Sequence, residues 1–145
     1  MKKIAIVSGY FNPFHLGHLN MIKDAKSFSD KVIVIANNDI QQVLKKGKII
    51  MNENERAEIV SAIKYVDEVI VSVDKDGTVK ETLKLLGEKH SENKLVFCNG
   101  GDRNSVKEIP EGEVCDKYNI EMKFGVGGDF KQNSSSNINQ LNDKE

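Results

Sequence analysis

The sequence predicts an α/β fold, a three-layer sandwich built on a five-stranded parallel sheet. Three observations predict it: five short β-branched runs, helical spacing of apolar residues in the gaps between them, and the regular alternation of the two. Parallel strands joined by right-handed helical crossovers follow from that alternation, with the sheet buried on both faces.

KIAIVS at residues 3–8 starts the sheet. Met21, Ala25 and Phe28 then share a helical face and lead to the second run, KVIVIA at 31–36. Ile59, Ile63 and Val66 form the next stripe, with Asn52 or Asn54 as its cap, before EVIVSV at 68–73. Asp76, Gly77 and Thr78 mark a turn into a helix carrying Val79, Leu83 and Leu86. KLVFC at 94–98 and IEMKFGV at 120–126 complete the sheet. Sheets of this kind bind ligands beyond the carboxyl ends of their strands, near the switch in strand order. The loops after the first, second and fourth strands are therefore where a site is expected.

At 145 residues, 39% hydrophobic and 30% charged, the sequence is expected to form one domain over residues 1–145. The serine- and asparagine-rich stretch 131–145 is expected as a flexible tail or a short closing helix. A net charge of −1 supplies no overall field, so neither nucleic acid nor membrane is expected as a partner. No apolar run approaches the ~20 residues needed to cross a bilayer. The amino-terminal stretch reads as a strand running into a glycine turn, so a cytoplasmic location is expected. Cys98 and Cys115 lack the C-x-x-C spacing of a zinc or redox centre and are expected as reduced thiols in or near the core. No residue is assigned as a metal ligand.

Residues 8–25, SGYFNPFHLGHLNMIKDA, are the most informative segment. Gly9 permits a tight turn, Pro13 breaks regular structure, and Gly17 lets a ligand approach the backbone. His15 and His18 stand three apart at a helix entrance, where free amides and the helix dipole favour an anion and imidazoles add donors. A phosphate cradle is the physical reading; on spacing alone the pair also suits metal ligation or ordinary surface positions.

GYFNPFHLGH resembles the Gly-x-Phe-Asp-x-x-His-x-Gly-His signature of the cytidylyltransferase-like nucleotidyltransferase superfamily, in register at Gly9, Phe11, His15, Gly17 and His18. Asn12 stands where that signature often has aspartate, losing a charge and keeping hydrogen-bonding capacity. The resemblance implies a Rossmann-like fold and a nucleotide role for Gly9, Tyr10, Phe11, Asn12 and Gly17, with His15 and His18 catalytic. Residues 37–60 look like the family's mobile basic loop and the helix bearing its arginine, which implies catalytic roles for Lys45, Lys46 and Arg56, with Lys48 beside them. Of 21 basic residues only Arg56 and Arg103 are arginines, and both fall in these segments, where a planar fork suits phosphate. Gly101 and Asp102 stand where the family has a nucleotide-contacting Gly-Gly-Asp or Gly-Asp-Asp segment after the fourth strand, which implies that role for them, with Arg103 as a neighbouring candidate. Ser134, Ser135 and Ser136 resemble its closing serine motif, which caps a last helix beside the phosphates. Asn139 departs from the arginine or lysine usual there, leaving that contact to another residue such as Lys131 or Lys144.

The activity implied is nucleotidyl transfer with Mg²⁺: an acceptor phosphate attacks the α-phosphorus of a nucleoside triphosphate and pyrophosphate leaves. The implied partners are that triphosphate and a small phosphorylated acceptor, and similar transferases are commonly homodimers. Chain length and the VDEV segment at 66–69 are similar to glycerol-3-phosphate cytidylyltransferases and favour CTP as the first reading. GGDR and SSSNI look like heptose-1-phosphate adenylyltransferase domains, which makes ATP the alternative. A non-catalytic nucleotide-binding module is the third reading.

Overall fold

The computed structural model describes residues 2–12, 14–100 and 109–127. Their elements run β1 (Lys3–Gly9), α1 (Leu16–Ser27), β2 (Lys31–Ala36), α2 (Asp39–Lys46), α3 (Glu53–Ser61), β3 (Glu68–Val71), α4 (Lys80–Lys89), β4 (Lys94–Cys98), α5 (Gly112–Lys117) and β5 (Glu121–Lys123). The five strands form one sheet in the order β3-β2-β1-β4-β5, every pair parallel. The expected architecture is the observed one.

Strand β1 is central, pairing Ile4 with Lys31 of β2 and with Leu95 of β4. Its side chains alternate between two cores, as a period of two dictates. Ile4 and Ile6 join Ile33, Ile35, Leu83, Leu86 and Phe97 under α4 and α5. Ala5 and Val7 join Ile22, Ala25, Val34 and Val60 under α1 and α3. The chain leaves β1 toward β2 and later returns to its other side at β4, so the strand order switches at the carboxyl ends of β1 and β4.

Four local expectations are corrected. The segment read as a mobile basic loop contains helix α2, capped by Asn38, whose side chain accepts from the Gln41 amide, and closed by Gly47 at φ 77. Helix α3 is capped by Asn52 and presents Arg56 and Val60 inward, whereas Ile59 is 46% exposed. That cap sets the phase, so the expected stripe through Ile59 lies one residue off, and Ile63 and Val66 fall beyond the helix. Strand β3 stops at Val71 because the Asn38 side-chain amide donates to the Ser72 and Asp74 carbonyls, diverting the chain from the ladder. Strand β5 covers only Glu121–Lys123, since the chain turns at Gly125, φ 70. Cys98 and Cys115 are buried free thiols, as expected, each pushed up to about 12 by burial.

Candidate active site

Strand β1 delivers the chain to the switch point and Phe11 reverses it. Phe11 has φ 56, uncommon for a residue with a side chain, and its ring is 2% exposed in the core. A Cβ on Gly9 would lie 2.9 Å from that ring, so the glycine is what lets the ring fold back. The Phe11 ring then meets His18 edge-on at 4.9 Å. Phe11 is thus placed as the packing support of the turn. Asn12 is buried and donates to Gln42 Oε1, tying the turn to α2.

The histidines that follow form a matched pair. His15 caps α1: its Nδ1 accepts the Gly17 amide at 3.0 Å, while His18 Nδ1 accepts the His15 amide at 3.2 Å. The rings stack at 3.8 Å. A ring nitrogen that accepts a backbone N–H carries no proton, so each neutral imidazole holds its proton on Nε2. Burial, with His15 and Lys45 as further causes, lowers His18 to about 3, and burial also lowers His15. Both rings are therefore neutral donors at the amino end of a helix, where an anion is favoured. His15 Nε2 is buried and has no hydrogen-bond partner among the described residues.

Beside this pair a crevice of about 240 Å³ crosses the strand ends. Ser8, Gly9 and Tyr10 after β1, Asn37 after β2, and Asn99 and Gly100 after β4 line it, which are the three loops the sheet topology singles out. Met21, Lys45, Gly77, Val79, Cys98 and Glu111 complete the wall; neither imidazole lines it, and Lys45 of that wall is one of the charges acting on His18. Lys45 places its ammonium 4.4 Å from the centre of the Tyr10 ring, a cation–π contact at the crevice mouth. The Tyr10 hydroxyl is raised by burial, with Arg56 acting the other way. Lys46 follows on the same helical turn, half-buried, and Lys48 is exposed; neither lines the crevice.

Arg56 takes a place that its sequence register does not reveal. It is 1% exposed and its guanidinium is spent on the protein: Nε donates to the Met51 carbonyl, Nη1 to those of Tyr10 and Asn37, and Nη2 to Asp39 at 3.2 Å. It braces the loops after β1 and β2 rather than facing the crevice. A polar layer continues from it. Gln41 Oε1 accepts from Asn37, Asn38 and Ser72, and Gln41 Nε2 donates to the carbonyls of Asp76 and Thr78. Asp74 in turn accepts the Glu81 and Thr82 amides at the start of α4.

The structure brings Gly9, Tyr10, Phe11, Asn12, His15, Gly17, His18, Lys45 and Arg56 to one edge of the sheet. Gly101, Asp102, Arg103, Ser134, Ser135 and Ser136 lie outside the described residues, and so does Asn139. Sequence reasoning missed Asn37, Gln41, Gln42 and Glu111. Two adjacent glutamines turned into a core leave no periodic signal, and Glu111 pairs with Val79 across 32 residues. Among the described residues no three His, Cys, Asp or Glu side chains converge as a metal site, and no helix is long and apolar enough to cross a membrane.

Comparison with known proteins bears on this geometry. FAD synthase of Thermococcus sibiricus is 40% identical over 72 residues, 48% of this chain and 49% of that one. The bifunctional protein HldE of Aliarcobacter butzleri is 29% identical over 145 residues, 99% of this chain and 28% of that one. This chain thus spans about half the length, or less, of these curated relatives. The crystal structure of the lipopolysaccharide core biosynthesis protein from Thermoplasma volcanium GSS1 superposes with a TM-score of 0.63 at 26% identity, covering 86% of this chain and 94% of that one. Residues 6–143 match the Cytidylyltransferase-like family, and with the paired imidazoles at the switch point of a parallel sheet, the chain belongs to that family.

Proposed function

We propose that the protein is an adenylyltransferase, moving AMP from ATP to a small phosphorylated acceptor with release of pyrophosphate. The observation that carries the reading is the pair of neutral Nε2–H donors at the amino end of α1, beside a crevice at the strand-order switch. An acceptor phosphate oxygen attacks the α-phosphorus, the bond from that phosphorus to the bridging oxygen breaks, and pyrophosphate leaves with the electron pair. No covalent intermediate on the protein is needed. His15 and His18 donate to non-bridging oxygens, the α1 amino end adds its dipole, and Lys45 supplies a positive charge at the mouth. Arg56 acts at one remove by holding Tyr10 and Asn37 in place.

ATP replaces CTP as the first reading because the similarity runs to FAD synthases, and FAD is a flavin phosphate joined to AMP. Mg²⁺ belongs to the proposal as a companion of the triphosphate, since magnesium is usually held by phosphates with one or two carboxylates. Pairing of two copies also belongs to it, supported by Ile40, Leu44, Ile49 and Ile50, all exposed on and after α2. A monomer mass in light scattering would reject the pairing.

The experiment is a pyrophosphate-release screen of ATP and CTP with Mg²⁺ against phosphorylated alcohols, sugars and FMN. Release with ATP in excess of CTP is expected. Preference for CTP would restore the cytidylyl reading, and tight nucleotide binding without release from any acceptor would refute transfer.

A further inference from the structure

Among the described residues three buried side-chain polar atoms have no hydrogen-bond partner: His15 Nε2, His90 Nε2 and Glu111 Oε1. His15 and Glu111 belong to the strand-end region and are of opposite polarity, one a donor and one an acceptor. Glu111 is 5% exposed and directly precedes α5. Its Oε2 accepts the Val79 amide at 3.0 Å, which fixes the carboxylate against the start of α4, and the residue lines the crevice with Gly77 and Asn99. Leaving a buried carboxylate oxygen unmatched is costly, so such an atom calls for a donor that the described residues do not supply.

The layering says which part of a bound molecule arrives there. Helix α1 and its histidines cover one face of the sheet, whereas Val79 and α5 belong to the other, and the crevice crosses the strand ends between them. Phosphate is drawn to the imidazole side and repelled by a carboxylate. What reaches Glu111 is the organic part of a substrate.

We infer that Glu111 is a specificity-determining residue of the crevice: Oε1 accepts a hydrogen bond from a neutral donor, a hydroxyl or amino group, on the organic part of a bound nucleotide or acceptor. The inference rests on the transfer reading above. A site built around such an acceptor rejects analogues lacking the donor far more strongly than an apolar wall would, because the carboxylate is then left unpaired.

Glu111→Gln tests it, since the glutamine carbonyl keeps the Val79 bond and its amide presents a donor where an acceptor stood. Wild type and variant are titrated calorimetrically with ATP, ITP, 2′-deoxy-ATP and 3′-deoxy-ATP, and with FMN, glycerol 3-phosphate and glucose 1-phosphate. A loss of about 10-fold or more in ATP affinity, reproduced in wild type by one donor-deleted nucleotide, supports the inference with the donor on the nucleotide. Unchanged ATP affinity with the same loss for a phosphorylated acceptor supports it with the donor there. Affinities of the variant within about two-fold of wild type for every compound that binds overturn it, being far below one charged hydrogen bond. Should the variant not fold, the donor-deleted nucleotides and the deoxy counterpart of any acceptor that binds wild type decide the matter, and equal affinities there overturn it. Absent pyrophosphate release with ATP bound refutes transfer alone and leaves the titrations to judge Glu111.

Discussion

Replacing Arg56 by methionine keeps an unbranched apolar stem and removes the guanidinium with its charge and donors. Four hydrogen bonds disappear: those to the carbonyls of Met51, Tyr10 and Asn37, and the ion pair with Asp39. Breaking a buried ion pair costs about 3–5 kcal/mol. The Asp39 side chain is 24% exposed and regains some water, and the Met51 and Tyr10 bonds are only partly buried, which pulls the total toward the lower end. The expected loss of about 3–4 kcal/mol is a large fraction of the ~5–15 kcal/mol that holds a domain folded. Arg56→Lys keeps one ammonium for Asp39 and loses the fork, so it falls between. Urea unfolding followed by circular dichroism reads both. If Arg56 instead gripped substrate phosphate, Arg56→Met would lose turnover at unchanged stability; a loss of stability under about 1 kcal/mol would refute the bracing role.

Three further expectations follow from the same geometry. Gly9→Ala pushes a methyl against the Phe11 ring and should cost about 1–3 kcal/mol as overpacking, together with nucleotide affinity; an unchanged urea midpoint contradicts it. The thiols of Cys98 and Cys115 should resist a disulfide-exchange reagent at pH 8 while the protein is folded and react fully in urea, with fast labelling of the native protein as the contrary result. His18, lowered from 6.5 to about 3, is neutral in the folded state while the unfolded chain takes up its proton first. Its contribution to stability is complete above about pH 6.5 and is lost as pH falls toward 3, so the stability gap between wild type and His18→Gln should shrink across that window. A gap that stays constant with pH would contradict this.

The sheet was legible because its three inner strands bury both faces and read as nearly continuous apolar runs: β2 and β4 occupy the expected residues and β1 extends one residue further, whereas the edge strands β3 and β5 are only partly buried and shorter than expected. The turn holding the histidines was legible too, because Gly9, Gly17 and the two imidazoles have few other uses at that spacing. Helix α2 was not. It turns Gln41 and Gln42 into the protein and leaves Val43 and Leu44 outside, the reverse of what hydrophobic periodicity expects, because its burial satisfies hydrogen bonds from three loops rather than apolar area. Arg56 was found but its task was not, since a buried fork tying carbonyls together and an exposed one awaiting phosphate look alike in a sequence. Glu111 carries no local signal, as its significance comes from Val79 and the crevice wall.

The most direct test concerns the tautomers of His15 and His18. With ¹⁵N-labelled histidine, nuclear magnetic resonance at pH 7 should show both rings neutral with the proton on Nε2, His18 unchanged at pH 5, and both Nε2–H signals moving when ATP is added. An imidazolium at His18 at pH 5, protons on Nδ1, or signals indifferent to saturating ATP would contradict the account.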